Sequence, residues 1–151
     1  MTSTTETLND LIEIARDGKN FYEHALTEVK NPELKALFTE IAQSKAEIIS
    51  ALSSQVSAAG EKPAEQGTFA GSFRKYYTDV KTSFASKEKE EVTYVSELEE
   101  QEDRLLHALE RAVNEHATPD AQANLRSQLE KARATHDRMR DLKHRMQAAH
   151  H

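Results

Sequence analysis

Residues 26–38 read LTEVKNPELKALF, and the dipeptide Asn31-Pro32 at their centre decides what kind of fold the chain can make. Apolar residues run at helical spacing on both sides of it. Asparagine is a favoured N-cap and proline a favoured first helical residue, so a second helix restarts where the first one stops. A join that short folds the second helix back along the first as an antiparallel hairpin.

Working outward, helix 1 is predicted over residues 7–30, with Leu8, Leu11, Ile12, Ala15, Tyr22, Leu26 and Val29 on one face. Helix 2 follows over 32–59, turns Leu34, Phe38, Ile41, Ile48, Leu52, Val56 and Ala59 inward, and stops at Gly60. The same cap-and-proline device recurs at Thr118-Pro119-Asp120. It separates a helix over 87–115, capped by Ser86, from one over 119–148 carrying Leu125, Leu129, Ala132, His136, Met139 and Met146 on one stripe. Between the two hairpins lies a long connector. Its part 61–67 reads as a linker, and Phe69, Phe73, Tyr76 or Tyr77, Val80 and Phe84 are spaced as the docking face of a short extra helix over 68–85. A 16-residue helix and about ten extended residues reach the length of a 28-residue bundle helix, roughly 42 Å. The expectation is one all-α domain over residues 1–151, a ferritin-like four-helix bundle of two antiparallel hairpins with a full-length crossover between helices 2 and 3.

Composition agrees with this class. The 151 residues are 30% charged and 37% hydrophobic with only four glycines and three prolines, the make-up of a polar-surfaced helical protein. With no cysteine, disulfide, thiolate and Cys-based metal chemistry are excluded. No apolar run approaches membrane-spanning length and the first residues lack a signal-peptide pattern, so a cytoplasmic location is expected. A net charge of −6 argues against nucleic acid as a partner. The charge is uneven, however, acidic over 87–115 and basic over 125–145, as neighbouring helices that complement each other would be. The closing His150-His151 pair is given no functional weight.

Each apolar stripe is interrupted near mid-length by polar or small residues. These are Gly18 and Tyr22 in helix 1, Lys45 in helix 2, Glu99 and Glu102 in helix 3, and His136 in helix 4, all at similar heights. A carboxylate on a buried stripe needs a partner. Two readings follow. In one, Tyr22, Lys45, Glu102 and His136 form a polar core network in which the lysine takes the place of a cation. In the other, Glu99, Glu102 and His136 are ligands of an iron, manganese or zinc ion. Gly18 is explained in either case as room for a neighbouring side chain. A di-iron centre would need a Glu-x-x-His pair on each of two helices, and the only such acid, Asp141 before His144, lies too far toward the C-terminus. No phosphate-binding loop or nucleophile elbow is present.

The stretches TLNDLIEIARDGKNFYEHAL, NPELKALFTEIAQSKAEI, GTFAGSF and ARATHDRMRDL, with the Glu102-Asp103 pair, resemble an uncharacterised bacterial family of four-helix-bundle domains of unknown function grouped with ferritin-like proteins. The resemblance implies a ferritin-like bundle in a bacterial cytoplasm and carries no established reaction. Glu102 and His136 match the carboxylate and histidine expected of helices 3 and 4. Arg133, Ala42, Lys45, Gly18 and Tyr22 depart from the remaining metal-ligand positions. The expected protein is therefore a non-enzymatic, self-associating bundle without a cofactor, structural or stress-related in role. A metal-binding protein with weak ferroxidase or peroxide chemistry and a DNA-protecting bundle are the alternatives.

Overall fold

The computed structural model describes residues 4–68, 87–115 and 119–149. Among these residues the regular elements are four helices: α1 (Thr4–Glu28), α2 (Pro32–Ala58), α3 (Lys87–Glu115) and α4 (Pro119–Ala149). The predicted helix over 68–85, its aromatic stripe and the caps at Ser86 and Thr118 lie outside the described residues.

The α1–α2 turn follows from local chemistry. Asn31 has extended backbone angles, φ −64° and ψ 119°, and its side chain accepts from the Glu33 and Leu34 amides, with Pro32 opening the helix. These bonds satisfy amide donors that a helix start leaves free. At the far end of α2, Gly60 takes φ +81°, a conformation that costs a side-chain-bearing residue about 1–2 kcal/mol. That angle lets Glu61 N reach Val56 O at 3.2 Å and Gly60 N reach Ser57 O at 2.9 Å, the paired bonds of a Schellman cap.

Helix α1 packs on α2 and α3, and α4 packs on the same two, so α1 and α4 are diagonal partners. Cross-helix bonds set the directions. Glu40, Glu47 and Gln55 of α2 lie against Arg138, Lys131 and Asn124 of α4, which makes this pair antiparallel. Asn31, just after α1, lies near Glu91 at the start of α3, and Leu11 near the start of α1 lines the same surface groove as Ala112 at the end of α3. Thus α2 ends at one end of the bundle and α3 begins at the other. The connector must join opposite ends, the single-crossover arrangement that the sequence pattern anticipates.

The core has two apolar halves. One holds Leu8, Leu11, Ile12, Ile48, Leu52, Leu105, Leu109 and Leu125. The other holds Phe21, Ala25, Phe38, Ile41, Tyr94, Leu98, Met139 and Leu142. Between them each helix contributes buried polar or small residues: Asp17 and Gly18 from α1, Lys45 from α2, Glu102 from α3 and Thr135 from α4.

The start of the connector is tied to the outside of α1. Ala64 N donates to Asn9 Oδ1 (2.8 Å), Asn9 Nδ2 to Lys62 O (3.2 Å), and Arg16 Nε to Ala64 O (2.9 Å). Beyond it, Thr68 Oγ1 donates to Asp17, a carboxylate only 1% exposed that also accepts from Arg104 Nη1 at 2.8 Å. Gly67 permits this approach, because a Cβ there would lie 2.1 Å from Asp17 Oδ1 and 3.2 Å from its backbone nitrogen. Residues 61–67 are therefore a docked strap and not simply a linker. Gly18 is different: a Cβ would meet the Lys45 stem at 3.9–4.0 Å, an ordinary contact, so space for a neighbour does not require it.

The two glycines thus have opposite expected responses to alanine. Gly18→Ala should raise unfolding stability by about 0.5–1 kcal/mol through helix propensity, and Gly67→Ala should lower it by about 1–3 kcal/mol through overpacking against Asp17. Urea unfolding followed by circular dichroism reads both, and equal effects at the two positions would contradict this account.

Candidate functional site: a buried ion pair and an adjoining carboxylate–histidine seam

The centre of the bundle is built around Glu102, whose side chain is fully buried. Its position continues a strict 3-4 alternation through Val95, Leu98, Leu105, Leu109 and Ala112, which turns it inward whatever its charge. Tyr22 Oη donates to Glu102 Oε1 at 2.7 Å, and Lys45 Nζ donates to Oε2 at 2.8 Å. Thr135 Oγ1 accepts from Lys45 Nζ at 2.9 Å and lies 3.0 Å from Glu102 Oε2, to which it can donate its proton. Lysine, threonine and carboxylate so form a closed triangle. The Tyr22 ring is held by an edge-on contact with Phe38, centroids 5.7 Å apart. All four helices supply one member each.

His136 does not join this cluster. The buried stripe of α4 runs through Leu125, Gln128, Ala132, Thr135, Met139 and Leu142, a 3-4 alternation in which His136 falls one residue, or about 100°, to the side. Seven-residue steps from Leu125 through Ala132 to Met139 carry this register in the sequence. The polar identities of Gln128 and Thr135 mask it, which is why the spacing read through Leu129, His136 and Met146 leads to the flank of the core, where Leu129 and Met146 are only partly buried.

One residue beyond Glu102, Asp103 is turned aside by the same angle, and it meets His136 on the seam between α3 and α4. His136 Nε2 lies 2.5 Å from Asp103 Oδ1, and Nδ1 lies 3.0 Å from Asp137 Oδ1. Glu99 is on this seam as well, its side chain 12% exposed, with Lys143 Nζ 3.5 Å from Oε2. The ligand set Glu99, Glu102 and His136 is therefore corrected by geometry: Glu102 belongs to the inner cluster, and the residue beside Glu99 and His136 is Asp103. Glu99, Asp103 and His136 each offer a ligand atom, and these atoms lie within 4.8 Å of one another. Burial by itself lowers the His136 pKa. Hydrogen bonds to Asp137 and Asp103, together with their charges, outweigh it and raise the value above the ordinary 6.5.

The surrounding charge pairs explain much of the uneven composition. Arg138 makes two 3.0 Å bonds to Glu40 of α2, Lys131 lies 3.7 Å from Glu47 of α2, and Lys143 and His136 face acids of α3. Part of the basic charge of α4 is thus met by acids of two neighbours, and Arg133 and Arg140 pair with acids of α4 itself. Arg104 and Asp17, a second ion pair at the edge of the central layer, is not marked by any short motif. Asp17 precedes Gly18 on the inward side of α1, which is the one sequence signal for it.

A family profile described as Domain of unknown function (DUF2383) matches residues 3–115. The chain belongs to this DUF2383 family. The matched stretch holds Asp17, Tyr22, Lys45, Gly67, Glu102 and Asp103, while Thr135 and His136 lie beyond it. Among solved structures, the chain is similar to the crystal structure of a conserved hypothetical protein, rv2844, from Mycobacterium tuberculosis. The two are 12% identical and superpose with a TM-score of 0.70 over 92% of this chain and 96% of that one, a likeness of fold. No curated protein matches this DUF2383 chain.

Two predictions follow from the geometry. Lys45→Met should destabilise by about 3–5 kcal/mol, since it strands a buried carboxylate, and adding Glu102→Gln should recover most of that loss because the amide still serves Tyr22 and Thr135. Denaturant unfolding of both single variants and the double variant measures the coupling; additive losses would mean that the two side chains do not interact. The His136 effect has the opposite dependence from a carboxylate's. Its raised folded pKa favours the charged imidazole, so its contribution is complete below the unfolded value near 6.5 and fades as pH rises through the folded value. With a chelator present, the melting temperature of the natural chain should fall toward that of His136→Gln between about pH 6 and pH 8. Parallel curves across that range would remove the effect.

Proposed function

We propose that the chain is a non-enzymatic helical bundle of ferritin-like descent in which an internal ion pair stands where related bundles hold metal. The observation that carries this reading is the Lys45 ammonium, 1% exposed and bonded to Glu102 and Thr135 at the centre of the four helices. A ferritin-like di-metal centre draws a carboxylate from each of two helices and a Glu-x-x-His pair from each of the other two. The residues at this centre do not fit that group. Tyrosine, lysine, glutamate and threonine supply one carboxylate, and the nearby Asp17 is already bonded to Arg104 and Thr68. An ammonium in the same space repels a dication. The single crossover supports the ferritin-like descent, and the cytoplasmic, structural or stress-related role rests on fold analogy.

Self-association belongs to this reading as an expectation. A DNA-protecting role has less support, because Lys131, Arg133, Arg138, Arg140 and Lys143 each lie against a carboxylate. Among the described residues no helix is long and apolar enough to cross a membrane.

The test is ferrous oxidation in air-saturated buffer. The chain should leave the rate at the buffer background; turnover that disappears in Glu102→Gln and persists in His136→Ala would show a working central metal site and overturn the proposal.

A further inference from the structure

We propose that Glu99, Asp103 and His136 bind one divalent transition-metal cation of the zinc class at the seam between α3 and α4, separate from the central ion pair. Glu99 and Asp103 are one helical turn apart and so project side by side. His136 faces them from α4, and one donor atom from each residue lies within 4.8 Å of the others. An ion with bonds of about 2.0–2.2 Å can gather such donors with small side-chain movements. Donors around a tetrahedral ion sit about 3.3 Å apart, so His136 Nε2 and Asp103 would have to separate by about 0.8 Å.

The chemistry of the set favours one class of ion. One imidazole among three donors disfavours magnesium and calcium, which prefer all-oxygen sites, and suits zinc and its neighbours. Asp137 adds a separate feature. It holds His136 Nδ1 at 3.0 Å, leaving Nε2 toward Asp103 and Glu99. A carboxylate behind the far nitrogen is the support that metal-bound histidines usually have. Access comes through Asp103, whose side chain is 40% exposed, and solvent on that side can complete the coordination.

Two cations oppose binding. Lys143 lies 3.5 Å from Glu99 and Arg140 lies 3.4 Å from Asp137. Both are on long side chains with exposed portions, 26% and 44%, and can swing toward water when a dication takes the carboxylates. Their presence predicts a site of moderate affinity whose strength depends on those two residues.

Isothermal titration with zinc tests the proposal on the full chain carrying His150→Ala and His151→Ala, so that the terminal histidine pair contributes nothing. One zinc per chain is expected. His136→Ala and Asp103→Asn should each weaken binding by about tenfold or more, and Asp137→Asn by about 10- to 100-fold with the stoichiometry kept. His144→Ala, an exposed position on α4, should change nothing. Circular dichroism checks that each variant is folded, and the conservative Asp103→Asn keeps the test decisive if His136→Ala is not. No saturable binding, or stoichiometric zinc retained at unchanged affinity by folded Asp103→Asn, would overturn the proposal.

Discussion

Burying an ammonium and a carboxylate together is the constraint on which the rest of this bundle depends. Neither Lys45 nor Glu102 can leave water alone without a penalty of several kcal/mol, and their mutual attraction offsets that penalty only when the geometry is good and the remaining bonding positions are filled. Tyr22 and Thr135 fill them. Because each of the four residues comes from a different helix, the cluster sets the axial register of all four at one height. Apolar packing above and below tolerates small slips of one helix along another far better than a closed triangle of bonds near 3 Å does. The bonds constrain the register of the four helices, while net stability is a weaker argument for such a pair, since well-packed apolar residues in place of a buried ion pair are often equally stable.

The same height holds two further charge arrangements, each displaced outward from the centre. On the α1 side, Asp17 receives Arg104 from α3 and Thr68 from the strap, with Gly67 letting the backbone close in. This holds the strap against α1 as far as mid-bundle and so bears on the path of the crossover. On the α4 side, Asp103 and Glu99 meet His136, Asp137 and Lys143. A central cluster flanked by two seams makes the layer continuous from one surface to the other, with exposure rising from 0% at Glu102 to 40% at Asp103. That gradient separates the roles: the closed middle holds its own cation, and the open seam is the part that can exchange with solvent.

How much of this was legible depends on the kind of signal. The hairpins were readable because Asn31-Pro32 and Gly60 act through their own backbone neighbours, and the Asn31 cap and the Gly60 turn are bonds of a few residues' span. Tyr22, Lys45 and Glu102 were readable as polar members of otherwise apolar stripes. Thr135 and Asp103 were not. Each stands beside a residue that looks the better candidate, His136 in one case and Glu102 in the other, and a shift of one position turns a helical side chain by about 100°.

By itself the sequence determined the four bundle helices, their hairpin pairing, the single crossover and the presence of a polar layer, because capping, periodicity and connector length are properties of local chain. Only the tertiary structure decided which partner each polar residue meets. Helix rotation about its own axis is set by packing against two neighbours at once, and that rotation sends Glu102 and Thr135 to the core while turning Asp103 and His136 to the seam.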